Sequence, residues 1–312
     1  MGLEIEVSYL GATQIQVPSY VHYSWEHDGS ITAGGQELVL GRLVGDDFIR
    51  GITALAGQFA RYDFKTDQSC GLHVHVGVDD WGAPQLKKLV LLYSKFEDLF
   101  YQLVAKGRDG WREHRGERKY YAKRWTNGLF PKGWMDKFED LNEPSKIRRA
   151  IVEALYRGNI SPHISNNRAS TIHGKAKTIF NGGHSYSVWP MELSDKYRTR
   201  AHGYQSMRTL AAHKYEACRY YGLNLHTYFQ RHTVEYRHHE GTVALDKLLY
   251  WPLWCGWFTE LASVLTETEI SRLGHWQALV DGEWCRPGRV ITLPQPVRDW
   301  VYKTLKERGH AD

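Results

Sequence analysis

Cys70-Gly71-Leu72-His73-Val74-His75-Val76 sets an imidazole at every second position and an aliphatic residue between them. Gly2-Leu3-Glu4-Ile5-Glu6-Val7 near the start and Thr233-Val234-Glu235-Tyr236-Arg237 far downstream repeat the pattern with carboxylates and a guanidinium. Strand side chains alternate faces, so each stretch reads as a β-strand with one ionisable and one apolar face. If the three strands share a sheet, their apolar faces form the core. Their polar faces then pool Glu4, Glu6, His73, His75, Glu235 and Arg237 in one place.

Pooling has an electrostatic consequence. Two glutamates two residues apart on a strand lie roughly 6.6 Å apart and repel by about 2 kcal/mol at an effective dielectric near 20. A bound cation relieves that repulsion. Glutamates on the wet face of a strand are ordinary, and a His-x-His pair serves equally as a half-buried hydrogen-bonded pair or as a ligand pair. The constellation, rather than any one pair, points to a site that holds metal ions and phosphate.

With 312 residues, 42% of them hydrophobic, the chain can bury a sizeable core, and its 13% aromatic content argues against disorder. A net charge of +5 suits an anionic ligand such as a nucleotide without requiring nucleic acid. The two nearest cysteines, Cys255 and Cys285, are 30 positions apart, which excludes a Cys-x-x-Cys zinc or redox motif and implies a reducing compartment. The first strand starts at residue 2 with neither a signal-peptide pattern nor a myristoylation site. The longest apolar run, Leu248 to Phe258, is too short to span a bilayer and contains Pro252. A cytoplasmic protein with no membrane partner is expected.

Tyr20 to Trp25 and Gln36 to Leu40 read as two further strands around the turn Asp28-Gly29-Ser30. Phe48, Ile52, Leu55 and Phe59 keep helical spacing. A long helix opens at Pro84 and is expected to close at Gly107. From 106 to 190 the texture turns basic and weakly periodic, which reads as an insertion or lid within a single domain spanning 1–312, with one helix over Pro144 to Tyr156. Its Lys106, Arg108, Arg112, Arg115, Arg118, Lys119, Lys123 and Arg124 are either a cover for an anionic ligand or a solvated charged face. Helical texture returns over Tyr197 to Tyr221. A Trp-rich helix with Asp246 as N-cap and a kink at Pro252 follows, its Trp251, Trp254 and Trp257 facing the core. The last helix follows Pro296 and stops at Gly309. Hairpins mixed with long helical excursions make the chain α+β.

The ordered set Gly2-x-Glu4-x-Glu6, Asp28-Gly29-Ser30 with the following Glu37, Cys70-Gly71-x-His73-Val74-His75-Val76, Val234-Glu235-Tyr236-Arg237 and Gly241-Thr242 resembles the amidoligase family. These are carboxylate–amine ligases related to glutamine synthetase and glutamate–cysteine ligase. The resemblance covers mainly residues 2–80 and 219–258, and includes Tyr220-Tyr221-Gly222-Leu223-Asn224-Leu225-His226 as the approach to the last motif strand.

The resemblance implies a glutamine synthetase catalytic-domain-like fold, a curved, largely antiparallel sheet backed by helices, whose concave face binds ATP and divalent metals. By the same resemblance, Glu4, His73 and Glu235 share one metal, and Glu6 with Asp28 and Glu37 holds the other. His75 is then a phosphate contact and Arg237 the guanidinium that stabilises the transferring phosphoryl group. Thr233 stands where glutamine synthetase has a further Arg, so Arg231 or the basic stretch is the substitute phosphate contact. The implied reaction joins a carboxylate to an amine through an acyl phosphate, with Mg²⁺ as cofactor and Mn²⁺ as the alternative where imidazole ligates. The substrates are small-molecule or polymer-borne, a nucleic-acid-borne group included. Their identity and the oligomeric state are not legible.

Two rivals use the same residues differently. A zinc hydrolase would take His73 and His75 with Glu235, His238 or His239 as the third ligand. A nucleic-acid-binding module would use the basic stretch with Trp111, Tyr120, Tyr121 and Trp125 as stacking groups.

Overall fold

All three alternating stretches fall in one sheet. In the computed structural model of the chain, the described residues are 1–156, 217–282 and 291–311, apart from 10, 13, 32–33, 115–116, 121, 128 and 131. The main sheet contains β1 (Gly2–Val7), β2 (Tyr23–Glu26), β3 (Gln36–Leu40), β4 (Gly71–Gly77), β7 (Leu223–Asn224) and β8 (Thr233–Glu240). Its order is β2-β3-β1-β4-β8-β7, and every neighbouring pair is antiparallel. A separate hairpin pairs β5 (Trp111–His114) with β6 (Glu117–Tyr120). The helices are α1 (Gly45–Arg61), α2 (Ala83–Gln102), α3 (Lys132–Glu139), α4 (Pro144–Tyr156), α5 (His226–Arg231), α6 (Leu245–Val264), α7 (Glu267–Arg272), α8 (Trp276–Asp281) and α9 (Gln295–Glu307). The chain is α+β with an open antiparallel sheet.

Alternation sorts the sheet into two faces. Leu3, Ile5, Val7, Leu38, Leu40, Leu72, Val74, Val234 and Tyr236 are buried on the apolar side and join one core with residues of α1, α2 and α6. There the Phe100 ring stacks on Tyr236 at 5.5 Å, and the Tyr236 hydroxyl pairs with Thr259 on α6 at 2.8 Å. Each such large side chain removed from water contributes about 1.5–3 kcal/mol. Trp251, Trp254 and Trp257 are buried, as their spacing implied. α6 runs unbroken through Pro252, and its N-cap is Ala244, with Asp246 inside the first turn. That still favours the helix, because a carboxylate there faces the positive end of the dipole.

Other expectations shift for local reasons. The strand read from Tyr20 begins only at Tyr23, because the Val21 N–H turns back to Pro18 O at 2.8 Å. α2 ends at Gln102, short of Gly107, because Leu103 and Val104 turn into the core; Gly107 sits in the following turn with φ +84°. The helices expected at Pro144 to Tyr156 and after Pro296 are α4 and α9. Of the texture over 197–221, residues Ala217–Tyr220 form a 3₁₀ turn, and 197–216 lie outside the described residues. Among the described residues no helix is long and apolar enough to cross a membrane.

Part of the basic stretch is structural. Trp125, Phe130, Phe138, Ile147 and Ile151 join the main core, while 157–190 lie outside the described residues. Trp125 is buried and its indole N–H donates to Leu223 O at 2.8 Å, so it offers no stacking surface to a nucleic acid. Arg124 is engaged by Asp98 and Asp109.

Arg108 has a more consequential place. The β4–β8 register slips between Leu72 and Val74, so that His73 faces an extra residue on β8. Such a bulge removes ladder partners from the bulged strand. The buried Arg108 guanidinium answers by donating to His238 O at 3.1 Å, His239 O at 3.0 Å and Cys70 O at 3.4 Å. Leaving buried carbonyls unpaired costs about 1–3 kcal/mol each. Cys70 O also accepts the Gly241 N–H at 2.8 Å, so Arg108→Met takes the donor from His238 O and His239 O and is expected to lower unfolding stability by about 2 kcal/mol or more; chemical denaturation showing a loss under about 1 kcal/mol would remove Arg108 from this role.

Candidate functional site

The cross-strand register builds the polar face in rows. Glu26, Glu37 and Glu6 are successive partners across β2, β3 and β1. Val39, Glu4 and His73 follow across β3, β1 and β4, and Gly2, His75, Glu235 and Asn224 form a third row across β1, β4, β8 and β7. Directly opposed residues bring their side chains within contact range. Thus Glu4 Oε2 lies 3.3 Å from His73 Nδ1, and Glu4 Oε1 lies 3.2 Å from His75 Nε2. Glu235 Oε1 lies 3.7 Å from His73 Nδ1 and 4.0 Å from His75 Nε2, and is bonded by the Arg237 guanidinium. His73 Nε2 approaches Glu6 Oε1 at 3.9 Å.

Gly71 is needed here. A Cβ at this position would meet His73 Nε2 at 2.9 Å, and the Gly71 N–H donates to Glu6 Oε2 at 2.6 Å. From the hairpin turn, Asp28 joins Glu6 and Glu37, its own carboxylate accepting the Ser30 N–H at 2.6 Å. Three groups therefore offer ligand atoms all within 4.8 Å of one another: Glu4–Glu37–His73, Glu4–His75–Glu235 and Glu6–Asp28–Glu37. Glu4 and Glu37 each belong to two of them.

Each expected site residue has a place on this face. Glu6, Asp28 and Glu37 are gathered as one cluster, and Glu4, His73 and Glu235 are mutual neighbours. His75, read as a phosphate contact, also groups with Glu4 and Glu235. Arg231, half exposed, reaches Glu4 Oε1 at 3.3 Å. Thr233, in the position of a missing Arg, instead pairs its hydroxyl with His75 Nδ1 at 3.2 Å. His238 and His239 do not join. Beyond the bulge both rings pack against Trp251 on the apolar side, which removes them as ligands for a zinc site.

Asn224 escapes the sequence reading. Its amide donates to Glu235 Oε2 at 2.6 Å from a strand only two residues long, too short to display alternation. The available signal was its place in the segment leading to the last motif strand.

Electrostatics divide the acids. Burial alone would raise the Glu4 carboxyl, but the charges of His75 and His73 outweigh it and hold it well below the usual carboxylate range. Burial likewise opposes ionised Glu235, yet Arg237 and His75 bring its pKa to about 2. Asp28 is lowered because its bonds from Ser30 overcome burial. Glu6 is raised by burial, only partly offset by His73. Glu37 is pushed to about 9, first by burial and then by the charges of Glu4, Glu6 and Asp28. Buried His75 Nε2 and Arg237 Nε find no aligned hydrogen-bond partner among the described residues. A carboxylate that must hold its proton far above its ordinary range, on a face that also carries the partnerless Arg237 Nε, fits a site completed by a cation and an anionic ligand.

Residues 45–131 and 190–259, together half of the chain, match the family model described as "Putative amidoligase enzyme". The chain belongs to the amidoligase family. The matched segments carry His73, His75, Asn224, Glu235 and Arg237, and the first runs well past Lys106, where the basic texture begins. Glu4, Glu6, Asp28 and Glu37 lie before them and reach the site through the pairing of β1 and β3. No curated protein and no solved structure matches the chain.

Glu37 yields a pH prediction. Its folded pKa of about 9 exceeds the ordinary 4.5, so the folded state keeps a proton that the unfolded state releases. Stability is therefore lost as pH rises from about 4.5 towards 9. With chelator present, Glu37→Gln should raise the melting temperature at pH 8 and leave it nearly unchanged at pH 4. An equal shift at both values would contradict the assignment.

Proposed function

We propose that this amidoligase is an ATP-dependent carboxylate–amine ligase, forming an amide bond through an acyl phosphate on the polar face of the sheet. The observation that carries the reading is the convergence of three acid-rich clusters and the buried Arg237 on one face. A glutamine synthetase catalytic-domain-like arrangement of sheet and helices belongs to the same proposal.

The residue types suit the chemistry. A substrate carboxylate oxygen attacks the γ-phosphorus of ATP, the bond from that phosphorus to the bridging oxygen breaks, and ADP departs. The amine nitrogen then attacks the acyl carbon, phosphate leaves with its bonding pair, and the amine gives up a proton. Arg237, with an unpaired Nε and a pKa raised by Glu235 against the opposing effect of burial, stays cationic and offers donors to the phosphoryl oxygens. Arg231 and His75, which both approach Glu4 Oε1, would be further phosphate contacts. Glu4, Glu6, Asp28, Glu37, His73 and Glu235 would hold Mg²⁺, or Mn²⁺ where imidazole takes part. Divalent ions held there supply neutralisation of phosphate charge. Burial of the face excludes water that would hydrolyse the activated acyl group.

ADP and phosphate release should stay low until both a carboxylate and an amine are supplied, as read by a coupled assay over amino acids and amines with mass detection of the product. Arg237→Lys should lower turnover by about a hundredfold or more, because an ammonium offers no planar donor fork. Metal-dependent amide cleavage without ATP, abolished by His73→Ala, would overturn the ligase reading.

A further inference from the structure

Glu235 touches the clusters through one oxygen. Its approaches to His73, His75 and Arg237 all involve Oε1. The other oxygen, Oε2, is taken by Asn224 Nδ2 at 2.6 Å, and both residues are buried, Asn224 at 1% exposure. The orientation of that amide is settled by its other end: Asn224 Oδ1 accepts the His226 N–H at 2.9 Å, so the NH₂ must face Glu235. A bracket supports it. The Thr227 hydroxyl lies 3.2 Å from Asn224 O and 2.8 Å from Thr233 O, fastening the turn into α5 to the start of β8.

We propose that Asn224 is a positioning residue that confines Glu235 to one-oxygen ligation and thereby biases the site towards small octahedral cations over Ca²⁺. The physical basis is ligand count. Ca²⁺ takes six to eight oxygens and accepts both oxygens of one carboxylate, whereas small divalent ions require near-octahedral geometry with single-oxygen ligands. An amide donor held on Oε2 opposes the first mode and leaves the second intact. The inference rests on the metal-holding role proposed above for this face.

The test is calorimetric titration of the full chain with Mn²⁺ and with Ca²⁺, without nucleotide, comparing wild type, Asn224→Ala, Asn224→Leu and Thr227→Val. Asn224→Leu keeps the side-chain volume while removing the donor and adding no charge beside Glu235, and so serves where the alanine variant does not fold. The expected result is a Ca²⁺-to-Mn²⁺ affinity ratio raised about tenfold in either Asn224 variant, in line with the leverage of groups that support metal ligands. Thr227→Val should leave the ratio unchanged. A merely structural Asn224 would weaken both ions alike, so an unchanged ratio overturns the proposal, as does an equal rise in Thr227→Val. Wild type that binds neither ion overturns the metal reading itself, and this inference with it.

Discussion

Like charges crowded on a buried surface are the constraint around which the rest of this molecule is arranged. Two carboxylates 4.8 Å apart, the outer limit within each cluster, repel by about 3.5 kcal/mol at an effective dielectric of 20. The face assembles because most of its acids have partners: Glu4 faces two imidazoles, Glu235 has Arg237 and Asn224, and Glu6 and Asp28 accept the Gly71 and Ser30 N–H groups. Glu37, which adjoins both Glu4 and Glu6, holds a proton instead. What remains unfavourable is offset on the other side of the same strands, where Leu3, Ile5, Leu72, Val74 and Tyr236 are almost fully buried. One strand therefore both anchors the core and displays the site, and neither face can change register without the other.

The bulge in β8 decides which residues belong to which face. Tyr236 and Arg237 alternate regularly, but past the slip both His238 and His239 go to the apolar side. Tyr93 donates or accepts at His238 Nε2 across 2.6 Å, and burial holds the His238 imidazole well below its ordinary pKa, so it stays neutral in the core. Arg108 supplies the donors that the distorted strand lacks. A residue that reads as part of a ligand-covering basic stretch thus fixes the geometry behind Arg237.

Much of this was legible because a period of two is hard to imitate. β1, β4 and the start of β8 follow directly from alternation and β3 from the turn signal before it, and the register then brings Glu4, Glu6, Glu37, His73, His75, Glu235 and Arg237 together. α4 and α9 were legible from spacing and from Pro144, Pro296 and Gly309. What was not legible depends on tertiary context. The bulge leaves no mark on the local pattern, and β7 and α5 are too short to carry a period. The end of α2 is set by Leu103 and Val104 finding the core before Gly107 is reached. The structural roles of Arg108 and Trp125 needed the neighbours that burial supplies, since composition alone reads them as surface charge and exposed aromatic.

The central claim is that this acidic face is a cation site, and anomalous diffraction from crystals grown with Mn²⁺ tests it most directly. The account predicts anomalous peaks within ligand distance, about 2.0–2.4 Å, of carboxylate oxygens from Glu4, Glu37 and Glu235. Crystals that contain Mn²⁺ elsewhere but show no peak on this face, with Glu4 and Glu235 still bound only to His73, His75, Arg231, Arg237 and Asn224, would contradict it.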